Sequence, residues 1–352
     1  MSFLEKDIFL LNRCFTLAEK SLNYTYPNPK VGALITNEQN EILSEGWHAV
    51  YGHAHAEVNA IQKLPQDFDF SRCTLYVSLE PCCHTQKKTP PCTSLIIEKK
   101  IPRVVIATLD PNPQVQSQGI QTLQQAGIEV VLYHEHFIQK QKALNFAFYV
   151  SQIYQRPYIT LKWAESRNKI IGDSQKRIMI SHPYTQFFSH ALRAKHQALL
   201  VGKNTVLLDK PQLNLRYALG KDPLIILLDT HAEILPENFF PHREGIIINQ
   251  KFHKQEGGWK YFLVEDIFSW KDYIGKLYNE YKIGSILVEG GSKVIENLLE
   301  SGIWDTAYII KTPQNILTEK PVIAPKNIQG SLQCLQSIQG NSIFKIENSQ
   351  LL

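Results

Sequence analysis

The sequence predicts an α/β protein of two domains. Three observations lead there. Short β-branched runs alternate with amphipathic helical segments along the chain, 352 residues at 43% hydrophobic content suffice for two cores, and a cluster of metal-binding residue types in the first half is not repeated in the second. The boundary is expected near residue 150, giving domains 1–150 and 151–352.

Leu4, Ile8, Leu11, Phe15, Ala18 and Leu22 recur at helical spacing and give an N-terminal helix one apolar face. VGALIT and EILSEGW read as paired strands, HAEVNAIQKL as a helix, TLYVSLE as a strand, TSLIIEKK as a helix and RVVIATLD as a buried strand. The helix SQGIQTLQQAG and the strand EVVLYH follow. From about Glu135 to Gln155 one long helix is expected, stopped by Pro157. The second half opens on the strand pattern PYITLKWAES and continues with strands at ALLVGK, PLIILLD, GIIIN, SILVEGG and TAYIIKT. Its helices are expected near His182 to His196, Ile267 to Tyr281 and Lys293 to Leu299.

A net charge of +4 without a dense Lys/Arg run argues against a nucleic-acid partner, and phosphate-bearing small molecules suit it as well. No stretch approaches the roughly eighteen apolar residues of a membrane span. MSFLEKDIFLL carries acidic residues within its apolar stretch and reads as helix, not signal peptide. Of six cysteines, four fall within twenty residues of one another, which suits a metal site in a reducing, cytoplasmic compartment. Cys14, Cys73 and Cys334 read as core thiols, and His53 as a bystander.

The chemistry concentrates in His55-Ala56-Glu57, Pro81-Cys82 and Cys92. Two thiolates and an imidazole make three zinc ligands, leaving a fourth position for a water whose pKa the metal lowers. Glu57 need not bind metal and can carry a proton from that water to a leaving amine. An HxE followed by PCxxC marks the zinc nucleobase deaminases; here nine residues separate Cys82 from Cys92. With that loop, PCCHTQKKTPPC resembles the deaminase half of the bifunctional riboflavin biosynthesis deaminase-reductase family, one residue longer than is typical there. Cys82 follows Glu80-Pro81 as the family's ligand does and is favoured, with Cys83 the alternative at the shorter spacing. Further residues match the family's polar pocket: Asn28 in the PNPxVG turn, His48 in GWH, Lys88 and Thr89 in the cysteine loop, and Asp110 and Asn112 in LDPNP.

In the second half Val288-Glu289-Gly290-Gly291-Ser292 runs from a strand through glycines into a helix that Ser292 can cap, a geometry suited to phosphate. GxGxxG is absent. LKWAES, ISHPYT, ALRAKH, LLVGKNTVLLDKPQLNLR, PLIILLD and LVEGG, taken in order, resemble the reductase half of the same family. The two resemblances imply a cytidine-deaminase-like three-layer domain followed by a dihydrofolate-reductase-like α/β domain. The implied cofactors are zinc and NADPH, the substrate a phosphorylated pyrimidine, and the protein is expected to be a homo-oligomer. The resemblance assigns cofactor contacts to Ala164, Thr205, Asp209, Gly291, Ser292, Lys293, Val294, Ile295, Glu296 and Asn297. Substrate contacts fall to Arg193, Leu213, Arg216 and Glu289, the arginines suiting a ribose phosphate. Ser166-Arg167-Asn168-Lys169 departs from the family's usual serine, apolar residue and Asp-Gly, and Arg177 to Ser181 lacks its tryptophan. That departure favours an alternative, a monofunctional zinc deaminase whose second domain is not catalytic.

Overall fold

The computed structural model describes residues 3–22, 24–83, 90–112, 116–326, 328 and 330–348. The chain divides into two compact units, Met1–Tyr154 and Gln155–Leu352.

In the first unit the elements run α1 (Phe3–Glu19), β1 (Gly32–Thr36), β2 (Ile42–Trp47), α2 (Ala56–Ile61), β3 (Thr74–Val77), α3 (Cys92–Glu98), β4 (Arg103–Ile106), α4 (Gln118–Gln125), β5 (Glu129–Leu132), α5 (His134–Leu144) and α6 (Phe146–Tyr154). The sheet order is β2-β1-β3-β4-β5, antiparallel on either side of β1 and parallel from β3 to β5. Its central strands β1, β3 and β4 are buried at nearly every position because both faces are covered. Leu34, Tyr76 and Val105 pack with Leu11 and Phe15 of α1 and Phe137 of α5. Their neighbours Ala33, Ile35, Leu75, Val77, Val104 and Ile106 pack with Ala60 of α2, Ile96 of α3 and Leu123 of α4. The result is three layers with a period-two division of side chains.

The long helix expected from Glu135 to Gln155 is two helices. Asn145 breaks it, with φ −117° and ψ 32°. Its amide meets both backbone groups of Lys30, accepting from the N–H at 2.7 Å and donating to the carbonyl at 3.0 Å. A tertiary bond to the turn that carries Asn28 thus overrides the local helical pattern.

The second unit contains β6 (Tyr158–Glu165), β7 (Ile170–Asp173), α7 (Thr185–Arg193), β8 (Ala198–Gly202), α8 (Lys203–Asp209), β9 (Leu224–Leu228), β10 (Gly245–Asn249), β11 (Lys254–Glu256), β12 (Trp259–Leu263), α9 (Trp270–Asn279), β13 (Ser285–Val288), α10 (Ser292–Ser301), β14 (Thr306–Lys311), β15 (Pro321–Ile323), β16 (Gln333–Ile338) and β17 (Asn341–Glu347). Ten strands form one sheet, β11-β12-β10-β9-β8-β13-β6-β14-β17-β16, parallel from β12 to β14 and antiparallel at both margins. Leu200, Ile226, Ile248 and Val288 face α9 and α10, while Leu199, Val201, Ile225 and Leu287 face Leu192 of α7 and Val206 of α8. Every strand expected in this half is present, and β12, the short β7, β11 and β15 and the C-terminal hairpin β16–β17 are additional. Cys14 and Cys73 are buried, but Cys334, expected in the core, is exposed on the marginal strand β16, where one neighbour alone flanks it. Among the described residues no helix is long and apolar enough to cross a membrane.

Candidate metal centre and ligand cavity

Two helix starts and one strand end build the first site. His55 is the N-cap of α2, and Cys92 is the first residue of α3, behind Pro91. Cys82 follows β3, its carbonyl accepting from the Thr93 N–H at 3.2 Å. The ligand atoms of His55, Cys82 and Cys92 all lie within 4.8 Å of one another. His55 Nδ1 stands 3.2 Å from Cys92 Sγ and 3.5 Å from Cys82 Sγ. Ligand atoms around one tetrahedral zinc lie roughly 3.3–3.8 Å apart, so the set fits such an ion. The electrostatics agree. A bond from the Cys92 thiol draws Cys82 far below its ordinary range, against burial and helped by His55. The same bond, with burial, pushes Cys92 well above its own range, so a second thiolate needs a cation.

Glu57 occupies the first turn of α2 and is 4% exposed. Burial pushes its carboxyl up, His55 opposes and Cys82 adds to the rise. His48 is buried, its ring 5.2 Å from that of His55. Its Nδ1 faces the Ala54 carbonyl at 3.0 Å, which can only accept, so the proton sits on Nδ1. Nε2 then accepts from Asn28 Nδ2 at 3.2 Å. Asn28, His48 and His55 therefore form one chain of contacts. Asp110 and Asn112 lie on the loop after β4, where Asp110 Oδ1 accepts the Asn112 N–H at 2.9 Å. Lys88 and Thr89 lie outside the described residues, and Cys83 does not join the ligand cluster. Sequence reasoning missed Tyr149 of α6. Burial and then the charge of Asp110 raise its hydroxyl, which marks it as a neighbour of that loop.

The second unit holds a cavity of about 870 Å³. Ala164, Thr205 and Asp209 line it, as do Gly291, Ser292, Lys293 and Ile295 at the start of α10. Arg193, Leu213, Arg216 and Glu289 line it too. Val294, Glu296 and Asn297 do not. Seven consecutive residues cannot all face one cavity from a helix of 3.6 residues per turn. Val294 packs into the core, and Asn297 Oδ1 accepts from Trp270 Nε1 at 2.7 Å. Nor does Ser292 cap the helix, since its hydroxyl donates to the Ile323 carbonyl at 3.0 Å and ties α10 to β15. The glycines before it answer to close approach. A Cβ on Gly290 would stand 2.9 Å from Thr205, and Gly291 has φ +79°.

Arg193 does not offer its fork to a ligand. Its Nη2 lies 2.5 Å from Glu289 Oε2, its Nε donates to both carboxylate oxygens at 3.1 Å, and its Nη1 donates to the Asn214 carbonyl. Burial raises the Glu289 carboxyl, but Arg193 and Lys162 outweigh it and hold it below its ordinary range. Lys162, unforeseen, lines the same wall, and burial lowers its ammonium although Glu289 opposes. Arg216 reaches Gln212 Oε1 and Asn214 Oδ1, exposed at the cavity. Its backbone N–H donates to His190 Nδ1 at 2.9 Å. Burial, Arg193 and Arg216 bring the His190 imidazole down to about 4. Lys176, Arg177, Lys210 and Lys293 add to the lining, and its positive excess fits a phosphate-bearing cofactor.

Residues 4–108 match the cytidine and deoxycytidylate deaminase zinc-binding region, and residues 157–340 match the RibD C-terminal domain. The riboflavin biosynthesis protein RibD of Aquifex aeolicus is 35% identical over 319 residues, 88% of each chain. The chain belongs to the RibD family. RibD of Actinobacillus pleuropneumoniae is 33% identical over 363 residues, 98% of this chain and 93% of that one. A solved diaminohydroxyphosphoribosylaminopyrimidine deaminase/5-amino-6-(5-phosphoribosylamino)uracil reductase from Thermotoga maritima has a TM-score of 0.84 at 30% identity, covering 97% of this chain and 99% of that one. Acinetobacter baumannii RibD shares the fold, with a TM-score of 0.86 at 24% identity over 98% and 99% of the chains.

The RibD C-terminal domain accounts for the second half and goes against a mere scaffold there. The departure from the RibD pattern at Ser166 to Lys169 is absorbed locally. Asn168 Oδ1 accepts from Ser166 Oγ at 2.7 Å and the Ile316 N–H at 3.0 Å, and Lys169 takes the left-handed conformation, φ 64°. Neither side chain lines the cavity, whereas Arg177 to Ser181 all do.

Proposed function

We propose that this chain performs two consecutive steps of riboflavin biosynthesis, deamination in the first unit and reduction in the second. The substrate of the first is 2,5-diamino-6-(5-phosphoribosylamino)pyrimidin-4-one. The reading rests above all on His55, Cys82 and Cys92 converging beside the buried, unligated Glu57. These three residues would hold zinc, which when bound lowers the pKa of water toward neutrality. Glu57 takes the proton from the attacking water and returns it to the departing amino group, so ammonia leaves. Burial suits it, because it raises the proton affinity of the carboxyl that must take up the proton before passing it on. Asn28, oriented by His48, hydrogen-bonds the pyrimidine edge, and Asp110 and Asn112 supply a further polar wall.

When bound, NADPH would supply the hydride for the ribosyl C1′, which with one proton breaks the ring C1′–O bond and leaves a ribityl chain. Thr205, Asp209 and the start of α10 would bind the cofactor. Arg216 grips the ribose phosphate, while Arg193 sets the orientation of Glu289 and Lys162 beside it keeps that wall ionic. The thiolate pair supports a reducing, cytoplasmic setting; the assembly expected is a homo-oligomer, checked by mass in solution. The deciding experiment is mass analysis of the pyrimidine after incubation with and without NADPH. Exchange of one amino group for oxygen is expected without NADPH, and two added hydrogens with it. An unchanged pyrimidine under both conditions with zinc-loaded protein refutes the proposal; a deaminated product that never takes up hydrogen refutes its second half.

A further inference from the structure

We propose that Glu80 is a positioning residue for deamination, fixing the loop that carries Asp110 and Asn112 against the segment that carries Cys82. The inference rests on the deaminase reading of the first unit. Glu80 is 4% exposed and lies three residues past the end of β3, in the segment that leads into Pro81-Cys82. Its backbone N–H donates to the Thr108 carbonyl at 2.9 Å, which sets it at the root of the Asp110 loop. Its carboxylate then takes four backbone amides, one from the near end of that loop and three from its far end. Oε2 accepts from Asp110 at 3.3 Å and Ser117 at 3.0 Å, and Oε1 accepts from Gly119 at 2.9 Å and Ile120 at 3.3 Å. The last two amides belong to the first turn of α4, whose dipole favours an anion there.

Both oxygens are used, each by two donors. A glutamine would keep one acceptor and turn an NH2 group against two N–H groups, so an amide cannot replace the carboxylate. The approach is also too close for a side chain on the partner. A Cβ at Gly119 would stand 2.2 Å from the Pro81 carbonyl oxygen and 3.1 Å from Glu80 Oε1. The residue two before a metal ligand is thus joined to both ends of the loop that bears two pocket residues. Cys82 itself is fixed to α3 through its carbonyl. Glu80 touches no reacting atom in this scheme. It holds the distance between the ligand segment and the substrate wall.

The test compares full-length, zinc-loaded wild-type protein with Glu80→Gln and Gly119→Ala, measuring zinc content, kcat and KM for deamination, and amide exchange. Both variants are expected to keep their zinc while KM for the pyrimidine rises about tenfold or more, the scale of lost bonds to a charged group, and kcat falls less. Amides of Ser117, Gly119 and Ile120 should lose protection in Glu80→Gln while those of β3 and β4 keep it. Wild-type KM and kcat in both variants would overturn the proposal. So would activity that falls only in step with lost zinc at unchanged KM, the pattern of a merely structural residue. If the wild-type protein itself does not deaminate, the functional reading has failed, and retained protection of the three amides still decides separately against the clamp.

Discussion

Gly46 offers a way to move the metal centre without touching it. It lies in β2 beneath α2, and a Cβ there would stand 2.3 Å from the Ala56 carbonyl oxygen and 2.4 Å from the Ala60 nitrogen. Ordinary contact begins at 3.4 Å, so in Gly46→Ala the helix must retreat by about 3.4 − 2.3, or roughly 1 Å. Both obstacles are backbone, so no rotamer change relieves them. Two bonds resist the retreat, from Ser44 Oγ to the Ala60 carbonyl at 2.8 Å and from Asn59 Nδ2 to the Trp47 carbonyl at 2.8 Å. His55 caps this helix and Glu57 lies in its first turn, so ligand and proton carrier are carried along. A misplacement of about 1 Å at reacting groups costs on the order of a hundredfold in rate, while overpacking costs about 1–3 kcal/mol of stability. The assay is ammonia release by zinc-loaded, folded protein at a temperature well below its Tm, with reduction of the deaminated intermediate as an internal standard. Deamination should fall about a hundredfold with reduction unchanged. A kcat/KM close to wild type at full zinc occupancy would refute the argument that α2 has no room to move.

Glu57→Gln should retain zinc and lose at least about a hundredfold in deamination, read from initial rates beside metal analysis; normal turnover would remove the proton-carrier role. Asn145→Asp places a carboxylate oxygen against the Lys30 carbonyl that the amide now donates to, so the Asn28 turn should loosen and KM for deamination rise, with an unchanged KM counting against the clamp. The His190 imidazole falls from 6.5 to about 4 on folding, so between those pH values the unfolded chain binds the proton and the folded chain does not. Stability from this group is complete above about pH 6.5 and declines until about pH 4. Thermal unfolding of His190→Gln should therefore depend less on pH in that window than wild type, and equal slopes would show that His190 is protonated alike in both states.

The sequence makes legible what local rules encode. The period-two runs give the buried strands because both faces of each sheet are covered, so that Leu34 and Ile35 are both apolar yet face opposite layers. The metal cluster is legible because two of its three ligands sit at helix starts, where Pro91 and the HAE step mark the chain. Neighbouring features are invisible for the opposite reason. Asn145 breaks a periodic helix to reach Lys30, 115 positions away, and Glu80 meets partners 30 to 40 positions on. No window of sequence contains both ends of such a bond. The run from Gly291 to Asn297 fails differently, since a linear motif names consecutive residues while a helix presents only some of them to a cavity. Arg193 shows the same limit in charge: its spacing suits phosphate, yet a half-buried arginine beside a half-buried carboxylate is held by that carboxylate first. The ligands that perform chemistry are thus written in short patterns, whereas the buried carboxylates and amides that hold their distances are written only in the fold. Substitutions at Glu80, Gly46 or Asn145 should for that reason impair deamination while leaving the three metal ligands and Glu57 in place.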